Sequence, residues 1–140
     1  MPSRFLDTNI LLYAASPDPQ EATKRDLARQ CMARQDWAIS TQVLQEFYVN
    51  AVAAKGGRHA LMTPEAAYQA VRQLAAFPCQ AVDLALVLMA TEISQTHQLS
   101  YWDAAIIAAA RNAGATQLLS EDLNHGQVIE GVEIVNPFLT

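Results

Sequence analysis

One short stretch near the amino terminus constrains this chain most. Phe5-Leu6 is apolar, Asp7-Thr8-Asn9 is polar, and Ile10-Leu11-Leu12-Tyr13 is apolar again. A buried strand that stops on an acid and turns at once into a helix accounts for this pattern, with Thr8 and Asn9 suited to the turn or cap. It places Asp7 at the carboxyl edge of a sheet, where open α/β proteins bind their ligands. Asp is also a preferred helix cap, so Asp7 has two readings, cap or functional acid. Which one holds depends on whether other acids reach the same edge.

The rest of the chain repeats the alternation. Ser16-Pro17-Asp18-Pro19 is a turn, and Glu21 to Gln35 reads as an amphipathic helix. Its Ala22, Leu27, Cys31 and Met32 are expected to face inward, and its Lys24, Arg25, Arg29 and Arg34 outward. Trp37-Ala38-Ile39 is a second strand, and Ser40 and Thr41 cap a helix carrying Val43, Leu44, Phe47 and Ala51 at core spacing. Glu46 falls at the margin of that buried stripe. Lys55-Gly56-Gly57-Arg58-His59 breaks the helix, and Thr63-Pro64 starts another that is expected to run to about Phe77-Pro78. Gln80-Ala81-Val82 is a third strand, closed by Asp83, which caps a helix ending near Gln98. Ala104 to Arg111 is apolar nearly all round and is expected to be central, with Asp103 in its first turn, where the helix dipole favours a negative charge. Ser100 and Asp103 have capping-box spacing. Gln117-Leu118-Leu119 is a fourth strand followed by the loop Ser120 to Gly126, and Val132 to Val135 is a final one. The expected fold is α/β, an α/β/α sandwich around a mainly parallel four- or five-stranded sheet, with residues 1–140 as a single domain.

Composition excludes some functions. The formal net charge of −5 argues against a sequence-independent grip on nucleic acid through a basic surface. It leaves room for an acidic pocket whose bound cations hold phosphate. Cys31 and Cys79 have no zinc or redox spacing, which fits two reduced thiols in a cytoplasmic protein. The start of the chain leaves no room for a signal peptide, and its apolar runs fall short of the roughly 18 residues of a membrane span. No histidine pair has a zinc spacing, and there is no G-x-S-x-G elbow; His125, three residues after Asp122, is within reach of substrate, but no histidine is assigned to catalysis.

Asp7, Glu46, Asp103 and either Asp122 or Glu121 all fall at strand exits or in helices that begin there. Right-handed crossovers return a parallel chain to the same sheet edge, so residues far apart in sequence converge. Carboxylates crowded into one pocket repel unless a cation or a proton intervenes. All-oxygen ligands suit Mg2+ or Mn2+. This points to a phosphodiester hydrolase using one or two metal ions. Asp83 also sits at a strand exit and is read as a cap.

Four segments, Phe5-Leu6-Asp7-Thr8-Asn9, Gln45-Glu46-Phe47-Tyr48, Tyr101-Trp102-Asp103-Ala104 and Leu118-Leu119-Ser120-Glu121-Asp122-Leu123, resemble in order the signatures of the PIN domain. The likeness is greatest to the VapC-like ribonuclease toxins of bacterial type II toxin–antitoxin pairs. It implies Mg2+- or Mn2+-dependent cleavage of RNA. It also implies Asp7, Glu46 and Asp103 as core acids, Asp122 as the more variable fourth, and Thr8, Asn9 and Ser120 as polar positions supporting them. Glu121 departs from the pattern by offering a second candidate for the fourth acid. The resemblance further implies a homodimer and a small antitoxin that blocks the site.

Two other classes are expected to compete. An aspartyl-phosphate phosphatase also begins with a strand ending in Asp, but needs an acid two residues on, where this chain has Asn9. A non-catalytic module would use the acids only to bind a metal or a partner's arginine.

Overall fold

The computed structural model describes residues 2–139. Among them, the strands β1 (Arg4–Leu6), β2 (Trp37–Ser40), β3 (Cys79–Gln80), β4 (Gln117–Leu119), β5 (Val128–Ile129) and β6 (Val132–Val135) form one sheet in the order β3-β2-β1-β4-β6-β5. Every neighbouring pair is parallel except β5 with β6. The helices are α1 (Thr8–Ala15), α2 (Ala22–Ala33), α3 (Thr41–Val52), α4 (Pro64–Leu74), α5 (Leu84–His97) and α6 (Tyr101–Asn112), with a 3-10 turn at Pro19–Glu21. They pack in two groups, α1 to α4 and α5 with α6, which makes the α/β/α sandwich that the strand–helix alternation implies.

The strand order positions the site. From β1 the chain moves one way, to β2 and β3, then returns to add β4 and β6 on the other side of β1. The boundary between β1 and β4 is therefore where the winding reverses, and a crevice opens there at the carboxyl ends of the strands. Leu6 pairs with Leu119, so the next residues, Asp7 and Ser120, emerge side by side. The Asp7 N–H still donates to Leu119 O, at 3.0 Å, which fixes that register to the edge itself.

The core explains why the elements are short and the packing close. Phe5, Leu6, Ala38, Ile39, Leu118 and Ile134 are wholly or almost wholly buried, as expected for strands covered on both faces. Every residue of α6 from Ala104 to Ala110 is buried, and the helix touches β2, β3, β4 and β6, which bears out its all-round apolar pattern. At the other end of the sheet, Trp37 stacks on Phe77 at 3.9 Å between ring centroids. Arg4 is buried at the start of β1, bonding Asp36 Oδ1 and the Cys31 carbonyl, and so fastens the α2–β2 turn to the central strand.

Several details differ from expectation. The sheet has six strands among the described residues, not four or five. The additional strand, β5, forms a hairpin with β6 through Glu130 and Gly131, both at positive φ, as a tight primed turn requires. Glu-Gly carries less of that signal than Asn-Gly, because a glutamate at positive φ is disfavoured. The third strand lies at Cys79–Gln80, a little earlier than expected, and α4 stops at Leu74, short of Phe77. The second helix opens with a 3-10 turn, and only Ala28 within it is fully buried, the helix packing against α1. Lys24 is half-exposed, as an outward residue should be, but its ammonium reaches back to Glu121 and Tyr13. Asp83 caps α5 through the Leu86 N–H, as read from sequence.

Candidate active site

Asp7 leaves β1 and is the N-cap of α1, so the cap reading of this residue holds. The capping geometry is unusual, however. A cap normally accepts from the second or third helical N–H; Asp7 Oδ1 accepts from the first, Thr8 N, at 2.7 Å. Its other oxygen, Oδ2, accepts from Ser120 Oγ at 2.8 Å. Burial pushes this carboxyl up from 3.8 to about 6; the Ser120 and Thr8 hydrogen bonds oppose the rise, and the nearby Glu46 and Asp122 charges add to it.

The remaining polar residues of the two edge segments hold the other acids. Thr8 Oγ1 donates to Glu46 Oε1 at 2.8 Å, tying α3 to the start of α1. Asn9 Nδ2 donates to Asp122 Oδ2 at 3.1 Å, while Asn9 Oδ1 accepts from the Glu121 N–H. Ser120 Oγ also accepts from the Asp122 N–H, at 3.1 Å. Thr8 and Asn9 thus each bond one of the acid side chains, and Ser120 bonds the Asp7 carboxylate and the Asp122 N–H. Asp103 stands in the first turn of α6, where the helix dipole favours an anion. Ser100 caps that helix by accepting from the Asp103 N–H, but the Asp103 carboxylate itself has no hydrogen-bond or ion-pair partner among the described residues.

Asp7, Glu46, Asp103 and Asp122 line a single cavity of about 290 Å³, together with Thr8, Asn9 and residues the sequence reading passed over: Leu12, Gln42, Asn50, Trp102 and Ile106. Gln42 and Asn50 had a legible signal, since they stand four residues either side of Glu46 and so share its helix face. Glu121 faces elsewhere. Against a burial that would raise it, hydrogen bonds from Lys24 and Tyr13 hold its carboxyl below the ordinary range, and it lines a neighbouring cavity instead. Of the two candidates for a fourth acid, Asp122 is the one in the shared cavity. His125 is engaged with the chain's last segment, its Nδ1 accepting from the Asn136 N–H.

The donor set is all oxygen, and no lysine or arginine lines the cavity to neutralise it. That chemistry fits Mg2+ or Mn2+. Among the described residues, no three acid, histidine or cysteine side chains are gathered closely enough to enclose one ion. The acids share a cavity, not a point, as mutual repulsion dictates. Asp103, whose carboxylate has no hydrogen-bond or ion-pair partner among the described residues, is the acid freest to turn toward an ion held by the others. A second cavity, of about 310 Å³, opens between Leu11, Met32, Trp37, Phe47, Leu74 and Phe77; its lining offers no carboxylate, imidazole or thiol to do chemistry.

Residues 4–130 match the PIN domain. The chain belongs to the PIN domain family. No curated protein matches it. Solved structures similar to this PIN domain include a toxin–antitoxin complex from Klebsiella pneumoniae, at TM-score 0.67 and 23% identity over 97% of this chain and 98% of that one. VapC20 of Mycobacterium tuberculosis, described as a sarcin-ricin loop cleaving toxin, has TM-score 0.64 and 22% identity over 86% of this chain and 92% of that one. FitAcB from Neisseria gonorrhoeae has TM-score 0.68 and 18% identity over 96% and 98%. At these identities the likeness is one of fold, and it extends over nearly the whole PIN domain.

Proposed function

We propose that this PIN domain is a metal-dependent endoribonuclease and the toxin of a type II toxin–antitoxin module. The observation that carries the reading is that Asp7, Glu46, Asp103 and Asp122, from four separated segments, line one cavity at the edge where the sheet's winding reverses. Membership of the PIN family and the fold of toxin–antitoxin neighbours support it. One of those neighbours is described as a sarcin-ricin loop cleaving toxin. An antitoxin and a second copy of the chain are the partners this reading brings with it.

The acids would hold Mg2+ or Mn2+, which when bound polarises a phosphate oxygen and lowers the pKa of a coordinated water. The chain's own residues then have distinct tasks. Asp7 is the anchor, its two oxygens aimed by Ser120 Oγ and the Thr8 N–H. Thr8 keeps Glu46 directed into the cavity, and Asn9 does the same for Asp122. Asn9 is fully occupied as a positioning residue and carries no proton to exchange, so the aspartyl-phosphatase reading has no acid–base group where it needs one.

The non-catalytic reading draws on one observation, that no three ligands are already gathered around one point. Expression of the chain alone and beside the product of the reading frame next to its own separates the two. Growth arrest that is relieved by the neighbour and absent in Asp7→Asn supports the nuclease. Binding of Mn2+ by the purified chain, with no cleavage across a panel of structured RNAs, overturns it.

A further inference from the structure

The last described residues turn back toward the loop that leaves β4. Ser120 N–H donates to Val135 O at 3.0 Å and Gly126 N–H to Ile134 O at 2.8 Å, so both ends of that loop are pinned along β6. After β6 come Asn136-Pro137-Phe138-Leu139. Proline has no N–H with which to extend a strand. Asn136 Oδ1 accepts from the Phe138 N–H at 2.9 Å, the local bond that makes asparagine a turn former. The turn seats Phe138 against α1 and α2. Its ring meets Tyr13 edge to face, 5.0 Å between centroids, and Lys24 Nζ lies 5.7 Å from its own centroid. Tyr13 and Lys24 are the residues that hold Glu121.

A second fastening joins the same segment to the far end of the loop. The Asn136 N–H donates to His125 Nδ1 at 3.0 Å. A histidine nitrogen accepts only while it carries no proton, so this bond needs the neutral ring with its proton on Nε2. The imidazolium has a donor at both nitrogens, and its Nδ1–H would meet the Asn136 N–H, donor against donor. Among the described residues the imidazole has no other hydrogen-bond or ion-pair partner. The acids on the adjoining segments are engaged with other groups: Asp122 with Asn9, Glu121 with Lys24 and Tyr13, and Glu133 of β6 with Gln117. No carboxylate therefore stands ready to replace the lost bond with an ion pair.

We infer that residues 136–139 form a proton-sensitive strap on the loop after β4, closed while His125 is neutral and released when it takes a proton. The inference does not depend on the nuclease reading. The closed strap accepts only the neutral ring, so the contribution of this bond is complete at pH 8 and is lost as pH falls to 5, the interval in which histidine changes charge. Phe138 is the other fastening, and with the first one gone it holds the segment alone. Release takes its ring off Tyr13 and Lys24, and so off the pair of side chains that anchor the loop at Glu121.

The test is fluorine NMR of the full chain labelled with fluorophenylalanine, in chelator, between pH 8 and pH 5. The chain has four phenylalanines, so the Phe138 signal is assigned by its loss in Phe138→Leu. Phe5 and Phe47 are buried and Phe77 is stacked on Trp37, so their signals report the rest of the fold. The ratio of strapped to released Phe138 is expected to fall roughly 2- to 10-fold on acidification, the size of one hydrogen bond, while Phe5 and Phe47 stay where they are. His125→Asn puts an acceptor oxygen where Nδ1 lies and takes no proton, so it should stay strapped at both ends of the range. His125→Ala has no acceptor, and at pH 8 should already show the ratio that the parent reaches at pH 5. A Phe138 signal that ignores pH, an Asn variant that still responds to it, or an Ala variant that stays strapped overturns the inference. So does a shift of Phe5 and Phe47 in step with Phe138, which would assign the change to the whole core.

Discussion

Ser120 Oγ donates to Asp7 Oδ2 at 2.8 Å across 113 residues of chain, and the same oxygen accepts from the Asp122 N–H. One hydroxyl therefore orients the acid that ends β1 and the acid that follows β4. Removing it should loosen both at once. Ser120→Ala is expected to remain folded and to lose about 10- to 100-fold in cleavage or metal affinity, the range for partners that orient ligands. Because the Ser120 bond favours the ionised form of Asp7, its loss should also move the acid limb of the cleavage pH profile upward. An unmoved profile with diminished activity would mean that Ser120 acts only through Asp122.

Asp7 makes a prediction about stability. Its folded-state pKa is raised, from 3.8 to about 6, chiefly by burial. The unfolded chain releases this proton first, so the neutral carboxyl's contribution to stability is complete below about 3.8 and is lost as pH rises through about 6. Asp7→Asn is therefore expected to be more stable than the parent in chelator at pH 7 and comparable below pH 4, by at most ~3 kcal/mol. The gain is smaller to the extent that water in the cavity reaches the carboxylate. Thermal melts of both chains across that range check it; a variant that melts earlier at pH 7 would assign Asp7 a structural role.

The pair Glu121 and Asp122 should separate cleanly. Glu121 is bound by Lys24 and Tyr13 outside the acid cavity. With side-chain exposures of 25% for Glu121 and 41% for Lys24, their ion pair is worth about 0.5–1 kcal/mol. Glu121→Gln is expected to lower stability by about that much and keep most of the cleavage activity. Asp122→Asn should lose metal affinity and cleavage with little change in melting temperature. The reverse pattern would make Glu121 the fourth ligand.

Much of this architecture was legible because the chain writes it locally. β1 and β2 are each closed by a polar residue that caps the helix after it, and Asp7, Ser40, Thr63, Asp83 and Ser100 all cap where their sequence neighbours require. The convergence of Asp7, Glu46, Asp103 and Asp122 follows from parallel topology, which needs only the strand–helix alternation. What could not be read depends on side chains from distant segments. Nothing local distinguishes Glu121 from Asp122; the distinction is made by Lys24, 97 residues away, and by the phenol of Tyr13. The β5 strand escaped because two residues carry no periodicity and its turn places a glutamate where glycine or asparagine is usual.

Metal binding ties these expectations together through linkage. If the carboxylates hold a divalent cation in the folded chain only, the cation stabilises by RT ln(1 + [L]/Kd), about 2.7 kcal/mol at a hundredfold excess over Kd. The relief of repulsion among the four acids is part of that binding free energy. The parent chain should therefore melt higher in Mg2+ or Mn2+ than in chelator, and the increment should shrink in Asp7→Asn, Glu46→Gln, Asp103→Asn and Asp122→Asn but persist in Glu121→Gln. Asp103 is the informative member of the set, because its carboxylate has no hydrogen-bond or ion-pair partner among the described residues. Its removal should abolish the increment while leaving the chelator melt almost unchanged. Cleavage should disappear in chelator and return with Mn2+ or Mg2+ but not with the larger, more loosely coordinated Ca2+. A full thermal increment in Asp103→Asn would show that the cation sits between Asp7, Glu46 and Asp122 alone, and that α6 contributes only its dipole.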